Sequence, residues 1–298
     1  MIVAIGVDVD DTFSRFVRRA IDAGVDVCAV NLRAAVEGEW LFEVPAREPA
    51  TLRYCGETVR LNPCDAFYCR MIDLSSRVPD PAMVVRWRAL LAGLRGWLES
   101  VPGKVVNPMN GAAHNSSKPL HESVLRDLGF KVPESITSSD REKLLEFVHE
   151  APAISKAVCG VRADTAVVEA GDLESFDPQS GPVHLQRLIT GDDARIHVIG
   201  TRLVAQRVSA NSVDYRRSGG LGEMEVFDCP EEVAALLVEG TRSIGLALAG
   251  WDFKIDEEGQ FWCLEANPMP GYSPYDARCD GAITRELIAY LKGEVPTS

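Results

Sequence analysis

The stretch that most restricts the fold is at the start of the chain. Ile2-Val3-Ala4-Ile5-Gly6-Val7 is an unbroken apolar run of strand length. The period then changes: Phe13, Phe16, Val17 and Ala20 share one face of a helix that Asp11 or Thr12 would cap and Gly24 would end. Val25 to Val30 is a second apolar run. Strand, helix and strand within about 30 residues make a βαβ unit, so the chain begins a parallel sheet. No G-x-G-x-x-G follows the first strand, which disfavours a dinucleotide-binding domain.

The rest of the N-terminal third adds short strands at Trp40 to Val44, on both sides of Cys55-Gly56-Glu57, and at Ala66 to Ile72. Pro81 opens an amphipathic helix to about Leu98, and Lys104 to Pro108 is a short strand and turn. Residues 1–108 are therefore expected to form an α/β domain. In the next stretch, Ser116 or Ser117 would cap a helix with Pro119 in its first turn and Gly129 at its end. Asp140 would cap another through His149, and strands are expected at Ala153 to Val158 and Thr165 to Glu169. Residues 171–182 have the composition of a surface loop. The last third carries two hairpins, a polar loop over 211–226 with Gly219, Gly220 and Gly222, a helix over Glu231 to Leu248, and a final helix over Ala282 to Leu291. Boundaries near 108 and 190 give three regions: 1–108, 109–190 and 191–298.

A chain of 298 residues has room for two or three such subdomains. Its net charge of -13 argues against a nucleic-acid partner, because phosphate contacts call for a basic face. The eight cysteines contain no C-x-x-C pair and no zinc spacing, which fits reduced thiols in a cytoplasmic protein. No basic n-region precedes the short first apolar run, and no run has the length of a membrane span, so neither a signal peptide nor a membrane partner is expected.

The hairpins carry the chemistry. If Glu258-Gly259 is a two-residue turn, Glu257 pairs with Gln260 and Asp252 lies directly opposite Glu265. Asn267 shares their face. Opposed carboxylates repel unless something sits between them, and a divalent cation does this well. An oxygen-only set suits Mg²⁺, which takes one or two carboxylates plus substrate phosphates. The same alternation puts Trp251, Phe253, Trp262 and Leu264 on the apolar back. Read alone, the pair is equally an exposed hairpin edge with incidental acids. In the second hairpin, a Gly200-Thr201 turn sets Arg195 opposite Gln206. The polar face then holds Asp193, Arg195, His197 and Gln206, and Ile196, Val198, Leu203 and Ala205 face the core. An arginine on a rigid strand is well placed to grip phosphate, although a solvated face would look the same. His197 alone reads as structural.

Four segments in order now resemble the ATP-grasp superfamily: Gln186-Arg187-Leu188-Ile189, Gly191 to Gly200 with Asp193-Ala194-Arg195 inside it, Ala249-Gly250-Trp251-Asp252-Phe253, and Leu264-Glu265-Ala266-Asn267-Pro268. They are similar to that family's nucleotide hinge, D-x-R strand, G-x-D strand and E-x-N metal strand. The resemblance covers roughly 104–292. Within the family the chain is most similar to the RimK-like branch, including ligases that cross-link graspetide precursor peptides, through Val106-Asn107-Pro108, Asn115 with Lys118, and the run Gly129 to Thr137.

The resemblance implies an ATP-grasp fold behind an α/β N-terminal domain. It also implies ATP with Mg²⁺, or Mn²⁺ in its place. Lys118 and Lys156 would contact ATP phosphates, with Arg162 assisting. Gln186 and Leu188 would line the adenine pocket, and Asp193 would sit near ribose or phosphates. Arg195 would stabilise the transferred phosphoryl group, assisted by Arg216, and Asp252, Glu265 and Asn267 would hold the metal. The chain departs from the pattern in two places. The loop after Lys156 has one glycine, Gly160, and position 187 is Arg where related ligases often carry an acid.

The activity implied is carboxylate–amine or carboxylate–hydroxyl ligation through an acyl phosphate, with the 211–226 loop closing over the site. The substrate would be an amino acid or a peptide, and a homodimer is compatible with the pattern. Arg70, Tyr272 and Arg278 are candidates for holding a substrate carboxylate, although each fits a structural or solvated role better. A phosphotransferase of the same fold and a non-catalytic nucleotide-binding protein are the competing readings.

Overall fold

The computed structural model describes residues 1–45, 49–78, 80–108, 110–111, 113–159, 165–208 and 224–295. The opening βαβ unit forms as expected. Strand β1 (Ile2–Gly6), helix α1 (Asp11–Asp22) and strand β2 (Val27–Asn31) are followed by a parallel β1–β2 register that starts at Ile2 opposite Val27. Asp10 rather than Asp11 or Thr12 caps α1, its carboxylate accepting the Thr12 N–H at 3.0 Å. After α2 (Leu32–Glu37), strands β3 (Trp40–Glu43), β4 (Ala50–Tyr54) and β5 (Glu57–Leu61) form an antiparallel sheet. Strand β6 (Ala66–Cys69), helix α3 (Pro81–Ser100) and strand β7 (Val105–Val106) complete a parallel sheet in the order β2-β1-β6-β7.

The second region starts with α4 (Lys118–Asp127). Ser117 stands at its N-cap, but its side chain makes no capping bond. Then come β8 (Ser135–Ser138), α5 (Arg141–Glu150), β9 (Ala153–Lys156), β10 (Ala166–Val168) and β11 (Val183–Arg187). The strands form an antiparallel sheet in the order β10-β9-β11-β8. Asp140 caps α5 by accepting the Glu142 and Lys143 N–H groups. The 171–182 loop contains two single 3₁₀ turns.

The third region is a five-stranded antiparallel sheet of β12 (Asp192–Ile199), β13 (Arg202–Val208), β14 (Met224–Val226), β15 (Leu248–Ile255) and β16 (Phe261–Asn267), ordered β14-β13-β12-β15-β16. Two expectations change here. The end of the 211–226 segment is strand β14, paired with β13; residues 209–223 lie outside the described residues. Helix α6 (Glu231–Ser243) stops five residues before Leu248. Gly245 takes φ +74°, and Gly245 and Leu246 donate their N–H groups back to Arg242 and Thr241. This is a Schellman ending, which frees Leu248 to begin β15. Helices α7 (Ser273–Arg278) and α8 (Ala282–Lys292) close the chain.

Cores tie the regions together. One face of the parallel sheet packs on α3 and the β3–β5 sheet, through Trp87, Leu90, Leu94, Leu52 and Phe67. The other face receives α1 and α8, whose Leu287 and Leu291 also meet Ile199 and Val204 of the third sheet. Leu125 of α4, with Phe130 and Val132 just after that helix, packs into the core between α6 and the back of the third region's sheet. Asn107 bridges the first and third regions: its amide donates to Leu248 O, and its oxygen accepts the Ala247 and Leu248 N–H groups.

Candidate active site

The hairpin register places the polar residues in cross-strand rows. Gln206, Arg195, Asp252 and Glu265 stand opposite one another across β13, β12, β15 and β16. The next row holds His197, Gly250 and Asn267, and the row on the other side holds Asp193, Lys254 and Trp262. The pairing of Asp252 with Glu265 agrees with the sequence count, but the path to it differs. Ile255 pairs with Phe261, so the connection is one residue longer than a two-residue turn, and Gly259 takes φ +76° in it. A bulge between Asp252 and Phe253 then restores the register. Leu264 is the extra residue. Beyond it the alternation flips: Cys263 and Ala266 are the buried residues of β16, and Trp262 and Leu264 are not on the core side as expected.

Each acid on this face has a cation. Arg195 Nη1 is 2.6 Å from Asp252 Oδ1, and Lys118 Nζ is 3.1 Å from Glu265 Oε2. Asp193 meets Lys254 Nζ at 2.9 Å. Gly250 makes room for the arginine: a Cβ there would lie 2.2 Å from Arg195 Nη2. Asn267 accepts the Met269 N–H through its side-chain oxygen at 2.8 Å, which steadies the amide at the Pro268 turn. An amide oxygen has a second lone pair, so the set Asp252, Glu265 and Asn267 fits Mg²⁺ with phosphate oxygens completing its shell. Among the described residues no three His, Cys, Asp or Glu side chains cluster tightly enough to hold a metal unaided.

The facing wall comes from α4 and the second sheet. Lys156 ends β9 and donates to Gln186 Oε1 at 2.6 Å. Burial pushes the Lys156 ammonium below its usual pKa, and the Glu122 carboxylate opposes that shift. Gln186 is fully buried and bonded to Lys156 and Glu122, and it does not line the neighbouring cavity. Leu188 does, with Ile189, Val132, Pro152 and Trp262 around about 560 Å³. Arg187 is held by Glu134, Glu150 and the Phe147 and Ala151 carbonyls, over the Phe147 ring. Arg162 and Arg216 lie outside the described residues.

Beneath Arg195, His197 is buried against the Tyr272 and Tyr275 rings. Burial and then the Arg195 charge push its imidazole well below the usual range. It is a neutral residue inside the fold, as its sequence context suggested. The three carboxylate-binding candidates are also accounted for. Arg70 is buried, donates to Asp10 Oδ2 at 2.5 Å and to Pro270 O, and so clamps the Pro268–Pro270 turn. Tyr272 is buried with its hydroxyl 3.2 Å from that of Tyr68. Arg278 donates to Pro274 O on its own helix.

Residues missed from sequence are Lys254, Trp262, His121 and Glu122. Lys254 is two residues beyond Asp252 and could have been found by alternation. Trp262 was hidden by the bulge. His121 and Glu122 follow Lys118 at i+3 and i+4, a helical spacing that puts all three on one face. His121 Nε2 accepts the Ala266 N–H at 2.9 Å, and Lys131 O accepts the Cys263 N–H, so α4 and its following loop close the open edge of β16.

No family model matches the chain. Human β-citrylglutamate synthase B is 22% identical over 186 residues, 57% of this chain and 48% of that protein. The chain thus spans about half the length of the curated relatives it matches. Solved structures align over nearly the whole chain. Macrocyclase MdnC from Microcystis aeruginosa MRC, bound with precursor peptide MdnA, has a TM-score of 0.83 at 18% identity, covering 99% of this chain and 100% of that one. A Chryseobacterium gregarium RiPP-associated ATP-grasp ligase, in complex with ADP and a leader and core peptide, has a TM-score of 0.85 at 16% identity over 99% and 97%. ATP-grasp ligase PsnB, with a precursor peptide and AMPPNP, has 0.74 at 26% identity over 98% of each chain. With its four sheets aligned over nearly the whole length of these ligases, this chain has the ATP-grasp fold.

Proposed function

We propose that the chain is an ATP-dependent ligase joining a carboxylate to an amine or hydroxyl on a peptide, with Mg²⁺ as its metal. The observation that carries this is the row Arg195, Asp252 and Glu265, closed by Lys118 from the opposite wall. Two carboxylates and two cations stand where the triphosphate would leave the Leu188–Trp262 cavity. Solved proteins with the same whole-chain fold hold ADP or AMPPNP and precursor peptides, which supports a peptide substrate here. The division near 108 and 190 belongs to this reading, as does a cytoplasmic setting for the eight unpaired cysteines.

A substrate carboxylate oxygen attacks the γ-phosphorus and ADP leaves. An amine or hydroxyl then attacks the acyl carbon, loses its proton and expels inorganic phosphate. Mg²⁺, held by Asp252, Glu265 and Asn267, would offset charge on the phosphate oxygens. Lys118 and Arg195 balance the charge of the two acids without nucleotide and would share it with the phosphate oxygens once nucleotide binds. Because they are fixed on a helix and a central strand, they stabilise the developing charge with little reorganisation. Lys156 extends the cationic wall, and the resemblance assigns Arg162 and Arg216 to the same phosphates.

The test is incubation with ATP, Mg²⁺ and peptides carrying acidic residues with Lys, Ser or Thr. Phosphate release should accompany a product lighter by one water per link. Asp252→Asn and Glu265→Gln should each lose at least about 100-fold in turnover, the scale of removing a preorganised charge partner. Wild-type-like turnover in both would remove the metal assignment. A stable phosphate ester as product would make the protein a kinase.

A further inference from the structure

Glu122 has no part in the chemistry outlined above, yet it is a densely bonded carboxylate next to it. It is buried on α4, and each of its oxygens faces two donors. Oε1 accepts from His184 Nε2 at 3.0 Å and Gln186 Nε2 at 2.7 Å. Oε2 accepts from the Ser135 hydroxyl and lies 3.5 Å from Arg126 Nη2. Burial alone would raise its pKa, but the hydrogen bonds from His184 and Ser135 hold it below the usual carboxylate range. It is an ionised, acceptor-only group.

That charge state determines the amide next to it. The –NH₂ of Gln186 is committed to Glu122, so its oxygen must point the other way, and there it meets Lys156 Nζ at 2.6 Å. Reversing the amide would aim two N–H donors at an ammonium. An acceptor-only partner on one side and a donor-only partner on the other leave Gln186 a single orientation. β9 and β11 are paired, so Lys156 has its carbon stem fixed by the sheet and its tip fixed by Gln186.

We propose that Glu122 is a positioning residue for Lys156: through Gln186 it aims the ammonium at the nucleotide phosphates. The inference rests on the reading that Lys156 binds phosphate. It gives α4 a double role. Lys118 and His121 hold the metal strand from one helical face, at Glu265 and the Ala266 N–H. Glu122, the next residue along, holds the lysine of the other sheet. One rigid helix thus sets the spacing between the cationic and acidic walls.

The test compares MgADP and adenosine binding to the full chain by calorimetry. Glu122→Gln removes the charge that holds the Gln186 –NH₂, and the weaker neutral acceptor lets that amide turn toward Lys156. MgADP affinity should fall about tenfold or more, the scale of one charge-assisted hydrogen bond. Adenosine, which reaches only the Leu188–Trp262 cavity, should bind as in wild type. Because Glu122 acts through Lys156, the same substitution in a Lys156→Ala background should add nothing. If Glu122→Gln does not fold, Gln186→Met removes the same link and carries the same expectations. Unchanged MgADP affinity would overturn the proposal, as would an equal loss for adenosine or a penalty that persists without Lys156. A wild-type chain that binds neither compound would instead overturn the nucleotide reading, and the proposal with it.

Discussion

The two hairpins of the third sheet are built from the same pattern and reach the site differently. In β12–β13 the register runs without a break from Asp193 opposite Val208 to Ile199 opposite Arg202, around a two-residue Gly200-Thr201 turn. In β15–β16 the loop is one residue longer and a bulge removes the excess before Glu265. β12 is flanked by strands on both sides, whereas β16 is the outer strand of the sheet. A central strand has its register held from two directions. An edge strand can absorb an extra residue, and bulges concentrate there. The difference teaches that alternation is a sound guide to Arg195. At Glu265 it reached the right pair because two deviations cancelled.

The strongest way to break the regular hairpin's contribution is to fill the space it leaves. Gly250→Ala places a Cβ against the Arg195 guanidinium and 2.7 Å from Pro270 Cβ. Arg195 must leave Asp252, so turnover should fall by about 100-fold, with a stability loss of about 1–3 kcal/mol from overpacking. Steady-state kinetics and chemical unfolding read both, and turnover near wild type would show that Arg195 is not held by this contact.

The edge strand depends instead on α4. His121 is fully buried, and burial pushes its imidazole pKa down to about 3. It must be neutral to accept the Ala266 N–H, with Nδ1 facing His114 at 2.8 Å. The unfolded chain takes up a proton below about pH 6.5, whereas the folded chain does so only near 3. The contribution is therefore complete above pH ~6.5 and is lost as pH falls toward 3. Between about pH 7 and 5, wild type should lose about 2 kcal/mol more unfolding free energy than His121→Gln. Equal losses in urea titrations would discard this account of the edge.

The smallest effect is expected from deleting the bulge itself. Without Leu264 the shorter register runs on, and Asp252 still meets Glu265. Magnesium-dependent turnover should stay within about tenfold of wild type, with a cost of about 1–2 kcal/mol from local repacking. Loss of turnover as complete as in Glu265→Gln would show that the bulge itself shapes the metal face.

Much of this molecule is legible in its amino-acid order. The βαβ opening, the capped α5, the β12–β13 register and the opposition of Asp252 to Glu265 follow from local periodicity and turn chemistry. These interactions lie between residues close in the chain, where few alternatives compete. The misplaced end of α6 was also local: Gly245 carried the stop signal, and the apolar residues after it belong to β15. Trp262 was misplaced because a bulge reverses every side chain beyond it.

Tertiary structure alone decided which charges meet. Nothing near Lys118 in the chain foretells Glu265, and nothing near Glu122 foretells His184, Gln186 or the lysine beyond them. Arg70, a structural residue or a substrate contact from sequence alone, is committed to Asp10 and Pro270. An ionised side chain gains from any opposite charge that reaches it, and which one does is set by how sheets and helices pack across the whole chain. The sequence by itself determined the strands that carry the chemistry. Packing determined their partners, because charge pairing in a buried site is a property of three-dimensional proximity.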